Sequence, residues 1–355
     1  MNQQDIPSNQ DASNSQNEMG DIATLHCGAF DLPVSSHMSE ESQQILNQLA
    51  LDQKAAQDKA AQEKNAGKNL SPPATPSQEE QRETFYKTDA YQRLRARYPV
   101  EIKLETLGGV TVEVITPTAG VSDENKDRVI INFHGGSFQS GSRISSQQES
   151  IPIAALGRIK VISVDYRMYP EHSYPAASED TVAAYKALLE SYPSTHIGML
   201  GTSSGGALCT QTLVQLQKQQ LPLPCAVAMI ACGAAKREGD SVAIGSSIFE
   251  AQVGCNLDMT LGYYEGVDMS DPEVTPANSD QYMAAFPPTF LASSTRDFLL
   301  SSVLATHRKL LQLDVEAELH VWEGLGHFFH SNIDLPETEE LHRQTLRFFK
   351  KHFGR

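Results

Sequence analysis

Short apolar runs recur along the C-terminal two-thirds of the chain, and segments with helical spacing separate them. The runs are "RVIINFH" (128–134), "KVISVDY" (160–166), "HIGMLG" (196–201), "CAVAMIA" (225–231), "TFLASS" (289–294) and "ELHVWE" (318–323). Near-continuous apolar strands of this kind belong to a parallel sheet covered on both faces. Between them, Val182, Tyr185 and Leu189 share one helix face, and Cys209, Leu213 and Leu216 share another. Upstream, "VEIKLETLGGVTVEVITP" reads as two strands around Gly108-Gly109, most simply a hairpin. The expectation is a doubly wound α/β domain over 99–355, with a mostly parallel central sheet of about eight strands flanked by helices. Residues 233–286 break the rhythm and read as an insertion near the C-terminal edge of the sheet, where ligands bind in such folds.

The N-terminal third follows another pattern. Residues 1–38, rich in Asn, Gln, Ser and Asp, hold too little apolar surface to offset the entropy of ordering, so a disordered polar tail is expected. Ser39 is then a plausible N-cap for a helix with a narrow apolar stripe of Ile45, Leu46 and Leu49. "SPPATPS" (71–77) breaks that helix, and a second is expected over about 78–97.

Composition narrows the function. Over 355 residues, 44 Asp and Glu stand against 28 Lys and Arg, for a formal charge of -16. Nucleic-acid binding requires a basic footprint and is excluded as an expectation. No stretch reaches the roughly 18 apolar residues of a membrane span, and the N-terminus lacks the basic and apolar segments of a leader. A cytoplasmic location follows as the default. The five cysteines show no metal-ligand spacing and read as buried thiols of a reducing compartment, with one disulfide as the alternative. No metal or cofactor is expected, and a homodimer is left open.

The chemistry centres on "MLGTSSGGALC" (199–209). Gly-x-Ser-x-Gly between a strand and a helix presents a serine on a strained turn at the sheet's edge. That assigns Ser203 as nucleophile, with the backbone N–H of Ser204 able to face the substrate oxygen; the plain alternative is an ordinary Gly/Ser turn. A serine needs a base. Of the histidines that follow, His327 in "WEGLGHFFH" lies in a Gly-flanked loop after the last strand, with His330 the runner-up. An acid must hold the imidazole in one tautomer. Asp297 ends the strand "TFLASS", whereas Asp314 precedes the last strand and belongs at the opposite edge. Without chemistry, His327 would be a loop histidine bound to backbone and Asp297 a helix N-cap. The Gly-rich loop in "NFHGGSF" can aim amides at a developing oxyanion, or be a simple turn.

Together these pieces resemble the hormone-sensitive-lipase-like family of α/β-hydrolase esterases. "HGGS" (134–137) is similar to its His-Gly-Gly-Gly motif, "DYRMYPEHSYPAASED" (165–180) to its Tyr-Arg…Pro-Glu-His…Pro-Ala-Ala segment, "GTSSGG" to its Gly-Thr-Ser-Ala-Gly elbow and "GLGHFF" to its histidine loop. The resemblance spans about 100–353 and implies an α/β-hydrolase fold with Ser203 as nucleophile, Asp297 as acid and His327 as base. It implies an oxyanion hole from Gly135, Gly136 and Ser137 with Ser204, the donors being the amides of Gly136, Ser137 and Ser204. Ser137 replaces the third glycine, Ser204 the usual alanine, and no proline follows Asp297. Glu171 and His172 are structural by the same resemblance. A helical cap would be built from 39–98 and 233–286, with Tyr263, Tyr264 and Phe249 as pocket lining or cap core.

The expected activity is a serine carboxylesterase acting on short- to medium-chain esters through an acyl-enzyme. A lactonase, amidase or deacetylase could use the same residues. A non-catalytic small-molecule receptor is the remaining class, disfavoured because such receptors lose the base.

Overall fold

The structure is a computed structural model, and it describes residues 32–65, 76–253 and 262–355. Val34–Arg355 forms one compact unit; of the other, Met1–Pro33, only Leu32 and Pro33 are described. Most of the expected polar tail, the first part of "SPPATPS", Cys27 and Cys255 therefore lie outside the described residues.

Three helices lead in: α1 (Glu40–Asn65), α2 (Gln78–Tyr86) and α3 (Asp89–Arg97). Ser39 caps α1, its hydroxyl accepting the Ser42 N–H at 3.2 Å. The Ser39 N–H donates to Glu337 at 2.7 Å, and Met38 just before it is buried. The apolar stripe of α1 is narrow indeed: Ile45 and Leu46 pack on the core, while Leu49 is exposed. The single helix expected over 78–97 is two. Thr88 accepts the Tyr91 N–H at 3.2 Å and donates to the Phe85 carbonyl at 2.7 Å, so one side chain ends α2 and caps α3.

The sheet has eight strands: β1 (Val100–Leu107), β2 (Val110–Pro117), β3 (Val129–Phe133), β4 (Lys160–Val164), β5 (Ile197–Thr202), β6 (Ala226–Ile230), β7 (Thr289–Arg296) and β8 (Ala317–Gly326). Their spatial order is β1-β2-β4-β3-β5-β6-β7-β8. β1 and β2 form the antiparallel hairpin, β2 pairs antiparallel with β4, and all other pairings are parallel. Gly108 turns the hairpin at φ 60°, and a Cβ there would meet the Ala183 carbonyl oxygen at 2.3 Å.

Side-chain alternation divides the core in two. Val129, Ile131 and Phe133 of β3 face one layer with α5 (Ala176–Leu188), α6 (Ser204–Lys218) and α9 (Leu300–Gln312); α4 (Ser145–Gly157) precedes these in the chain. Ile130 faces the other layer, with Ile151 and Ile153 of α4 and Phe348 and Phe349 of α10 (Pro336–His352). The insertion over 233–286 carries α7 (Asp240–Val253) and the short α8 (Asp280–Ala284), with 254–261 outside the described residues. None of the helices in the described residues is long and apolar enough to cross a membrane.

Candidate active site

Four loops meet at the C-terminal ends of the parallel strands: those after β3, β5, β7 and β8. They carry the Gly-rich loop, Ser203, Asp297 and His327 respectively. Ser203 follows β5 directly, with φ 52° and ψ -120°. That conformation is costly for a residue with a Cβ and persists only where surroundings over-determine it. Here the Ser203 N–H donates to the Ile230 carbonyl at 2.8 Å, and the N–H groups of Gly206 and Ala207 return to the Ser203 carbonyl. The flanking glycines are forced by contact. A Cβ on Gly205 would lie 1.8 Å from the Phe133 carbonyl oxygen, and one on Gly201 would lie 2.3 Å from that of Gly205. The turn can therefore lie this close to β3 only with glycine at both places.

His327 joins the serine to the aspartate. Its Nε2 lies 2.9 Å from Ser203 Oγ, and its Nδ1 lies 2.7 Å from Asp297 Oδ1. An aspartate that accepts from Nδ1–H leaves Nε2 as the acceptor for the serine hydroxyl. Asp297 is 1% exposed and fully engaged: Oδ1 also accepts the Leu299 N–H at 2.9 Å, and Oδ2 accepts the Ser293 hydroxyl at 2.7 Å. Burial pushes its carboxyl up, but the electrostatic pull of the adjoining His327 and these hydrogen bonds outweigh burial and leave it below the ordinary aspartate value. Three phenylalanines enclose the imidazole: Phe298 with ring centroids at 4.2 Å, Phe328 at 4.7 Å and Phe249 of α7 at 6.4 Å.

The Gly-rich loop resolves its members differently. Gly135 donates its N–H to Glu149 Oε1 at 3.1 Å, so that amide is committed to the protein. The N–H groups of Gly136 and Ser137 donate to no acceptor among the described residues. Ser137 and Phe138 both take left-handed backbone, at φ 56° and φ 60°. The serine at the third glycine position thus adopts a backbone suited to glycine. The ring of Phe138 is buried and stacks on Tyr263 at 4.4 Å, which pins the loop. Ser204 opens α6, where first-turn N–H groups lack intrahelical partners and the helix end is positive.

The other candidates lie elsewhere. His330 is buried behind the loop, and burial, with the neighbouring imidazoles, lowers it to about 3. Asp314 sits in the turn before β8, at the opposite edge of the sheet from Asp297. His172 and Glu171 are exposed, whereas Tyr263 and Tyr264 are buried core beneath the loop. Cys209, Cys225 and Cys232 are free thiols that burial pushes well up. Two side chains had gone unread in the sequence. Ser293 is one small residue within a strand, and no local pattern marks it. Glu149 is a lone acid before the apolar run "SIPIAAL", a weak signal of a buried carboxyl.

Known proteins share this fold. The alpha/beta hydrolase fold family matches residues 130–331. An acetyl-hydrolase of Streptomyces hygroscopicus is 27% identical over 235 residues, 63% of this chain and 74% of its own. The crystal structure of an esterase, E25, aligns with TM-score 0.73 and 29% identity, covering 93% of this chain and 99% of that one. A bacterial esterase of the hormone-sensitive lipase family shares the fold, with TM-score 0.70 at 23% identity over 89% of this chain and 99% of its own. The chain belongs to the alpha/beta hydrolase fold family. By class it is a carboxylic ester hydrolase.

Proposed function

We propose that this chain hydrolyses short- to medium-chain carboxylic esters through an acyl-enzyme on Ser203. The observation that carries the reading is the continuous line Ser203 Oγ, His327 Nε2, His327 Nδ1, Asp297 Oδ1, with gaps of 2.9 and 2.7 Å. Ser203 Oγ attacks the ester carbonyl carbon as its proton passes to His327 Nε2. The carbonyl oxygen becomes an oxyanion, received by the amides of Gly136, Ser137 and Ser204. The tetrahedral adduct collapses, the bond to the alkoxy oxygen breaks, and His327 returns the proton to the leaving alcohol. Water then attacks the acyl-enzyme while His327 takes its proton. Collapse of the second adduct releases the acid and restores the Ser203 hydroxyl. Asp297 stays ionised throughout and stabilises the imidazolium.

Phe249, Phe298 and Phe328 around His327 support a compact substrate, as does the acetyl-hydrolase relative. Ser203→Ala is the direct test. It abolishes p-nitrophenyl butyrate hydrolysis and labelling by a fluorophosphonate while the thermal midpoint is kept. Full activity in that variant sinks the reading, and a panel of esters, lactones and anilides ranks the bonds cleaved.

A further inference from the structure

Behind the Gly-rich loop lies a buried acid that the proposed chemistry leaves unused. Glu149, on α4, is 5% exposed. Its Oε1 accepts the Gly135 N–H at 3.1 Å, and its Oε2 accepts the Asn132 side-chain amide at 3.1 Å. Asn132 is anchored in turn, its amide reaching Ser150 at 3.1 Å and Ser163 at 3.3 Å. A Cβ on Gly135 would lie 3.1 Å from the Thr202 carbonyl oxygen, 3.4 Å from the Ser203 Cβ and 3.5 Å from Glu149 Oε1, so the residue sits between nucleophile and acid. Gly136, the next amide, has φ 128°, and a Cβ there would strike the Ser140 carbonyl at 2.1 Å. The direction of the loop is thus set at Gly135, one residue before the proposed oxyanion donors.

We propose that Glu149 is a positioning residue for the oxyanion loop: its grip on the Gly135 N–H sets the direction of the Gly136 and Ser137 amides that follow. This rests on the reading of Gly136, Ser137 and Ser204 as oxyanion donors. No Lys or Arg among the described residues pairs with Glu149. The titratable groups facing it are Tyr166, which follows β4, and Cys209 on α6; burial pushes both well above their ordinary values and leaves them neutral. Burial lifts the Glu149 carboxyl to about 8, with the Gly135 N–H and Asn132 amide pulling weakly the other way. Above that pH a carboxylate would stand directly behind a site built to gather negative charge. A buried negative charge behind the hole opposes the developing oxyanion and slows the step by roughly tenfold.

The test compares the full chain with Glu149→Gln, Glu149→Ala and Ser203→Ala, using p-nitrophenyl butyrate from pH 6 to 10 with the uncatalysed rate subtracted. The expected wild-type kcat falls through an ionisation near 8, and that fall is absent in Glu149→Gln, which keeps both the acceptor and the neutral charge. Glu149→Ala leaves the Gly135 N–H unpaired and loses roughly tenfold or more in kcat with KM little changed. Glu149→Gln restores that loss at pH 7. An unaltered alkaline fall in Glu149→Gln, or wild-type kcat in Glu149→Ala, overturns the proposal. Thermal midpoints separate these effects from simple unfolding. Activity in Ser203→Ala would instead overturn the underlying site reading.

Discussion

Asp297 Oδ1 and His327 Nδ1 lie 2.7 Å apart, and both side chains are only 1% exposed. In so dry a place the pair is held by its own geometry, since the carboxylate spends its other lone pairs on Ser293 and Leu299. Asp297→Asn keeps the shape but can donate where it must accept, which favours the wrong imidazole tautomer. The expected loss in kcat is about 10³- to 10⁴-fold with KM nearly unchanged, read by steady-state kinetics at pH 7. A loss below tenfold would remove Asp297 from its proposed role.

Gly205 faces the Phe133 carbonyl with no room for a methyl group. Gly205→Ala must therefore push α6 or β3 aside, at a cost of roughly 1–3 kcal/mol for overpacking. The thermal midpoint drops by several degrees, and Ser203 is displaced from His327. A variant with native midpoint and native kcat would contradict the close approach.

Ser137 holds a left-handed backbone at φ 56°. Ser137→Gly is expected to keep kcat/KM within roughly threefold, because glycine adopts that region freely. Ser137→Val adds a β-branch to a residue already in the left-handed region, which resists it more than serine does and turns the amide away, so its kcat falls. Equal activity in both variants would show that this amide's direction does not matter.

Two buried histidines contribute to the acid limb of stability. Burial, aided by neighbouring charges, lowers His330 to about 3, and burial lowers His342 to about 4. An unfolded histidine titrates near 6.5. Between that value and the folded ones, the unfolded chain binds more protons, so stability falls as pH falls from 6.5 towards 4. Above 6.5 the full contribution is present. His342→Gln should flatten the slope by up to about 1.4 kcal/mol per pH unit, measured by denaturant titration from pH 4 to 7. An unchanged slope would mean that His342 is not buried neutral in solution.

Much of this fold is legible in the sequence. The six apolar runs became β3 to β8, because near-continuous Val, Ile and Ala stretches can be buried on both faces only in the interior of a sheet. β8 departs from that pattern. As the edge strand it pairs with β7 alone among the described residues, and much of its length is only half-buried. Ser39 was readable as a cap because its partner, Ser42, is three residues away. The break between α2 and α3 is hidden in the sequence for the opposite reason: Thr88 marks it only through a hydroxyl that serves both neighbouring helices.

The sequence alone determined the type and order of the strands and the chemical character of Ser203, Asp297 and His327, since periodicity and turn chemistry act over a few residues. The tertiary structure decided which of these groups meet and which amides are spoken for. Asp297 and His327 are 30 residues apart in the chain, and the parallel pairing of β7 and β8 closes that gap. Gly135 and Gly136 are chemically identical in the sequence, yet one is held by Glu149 from a distant helix while the other has no acceptor among the described residues. Such assignments depend on hydrogen-bond partners that come together only when the sheet and its helices are packed.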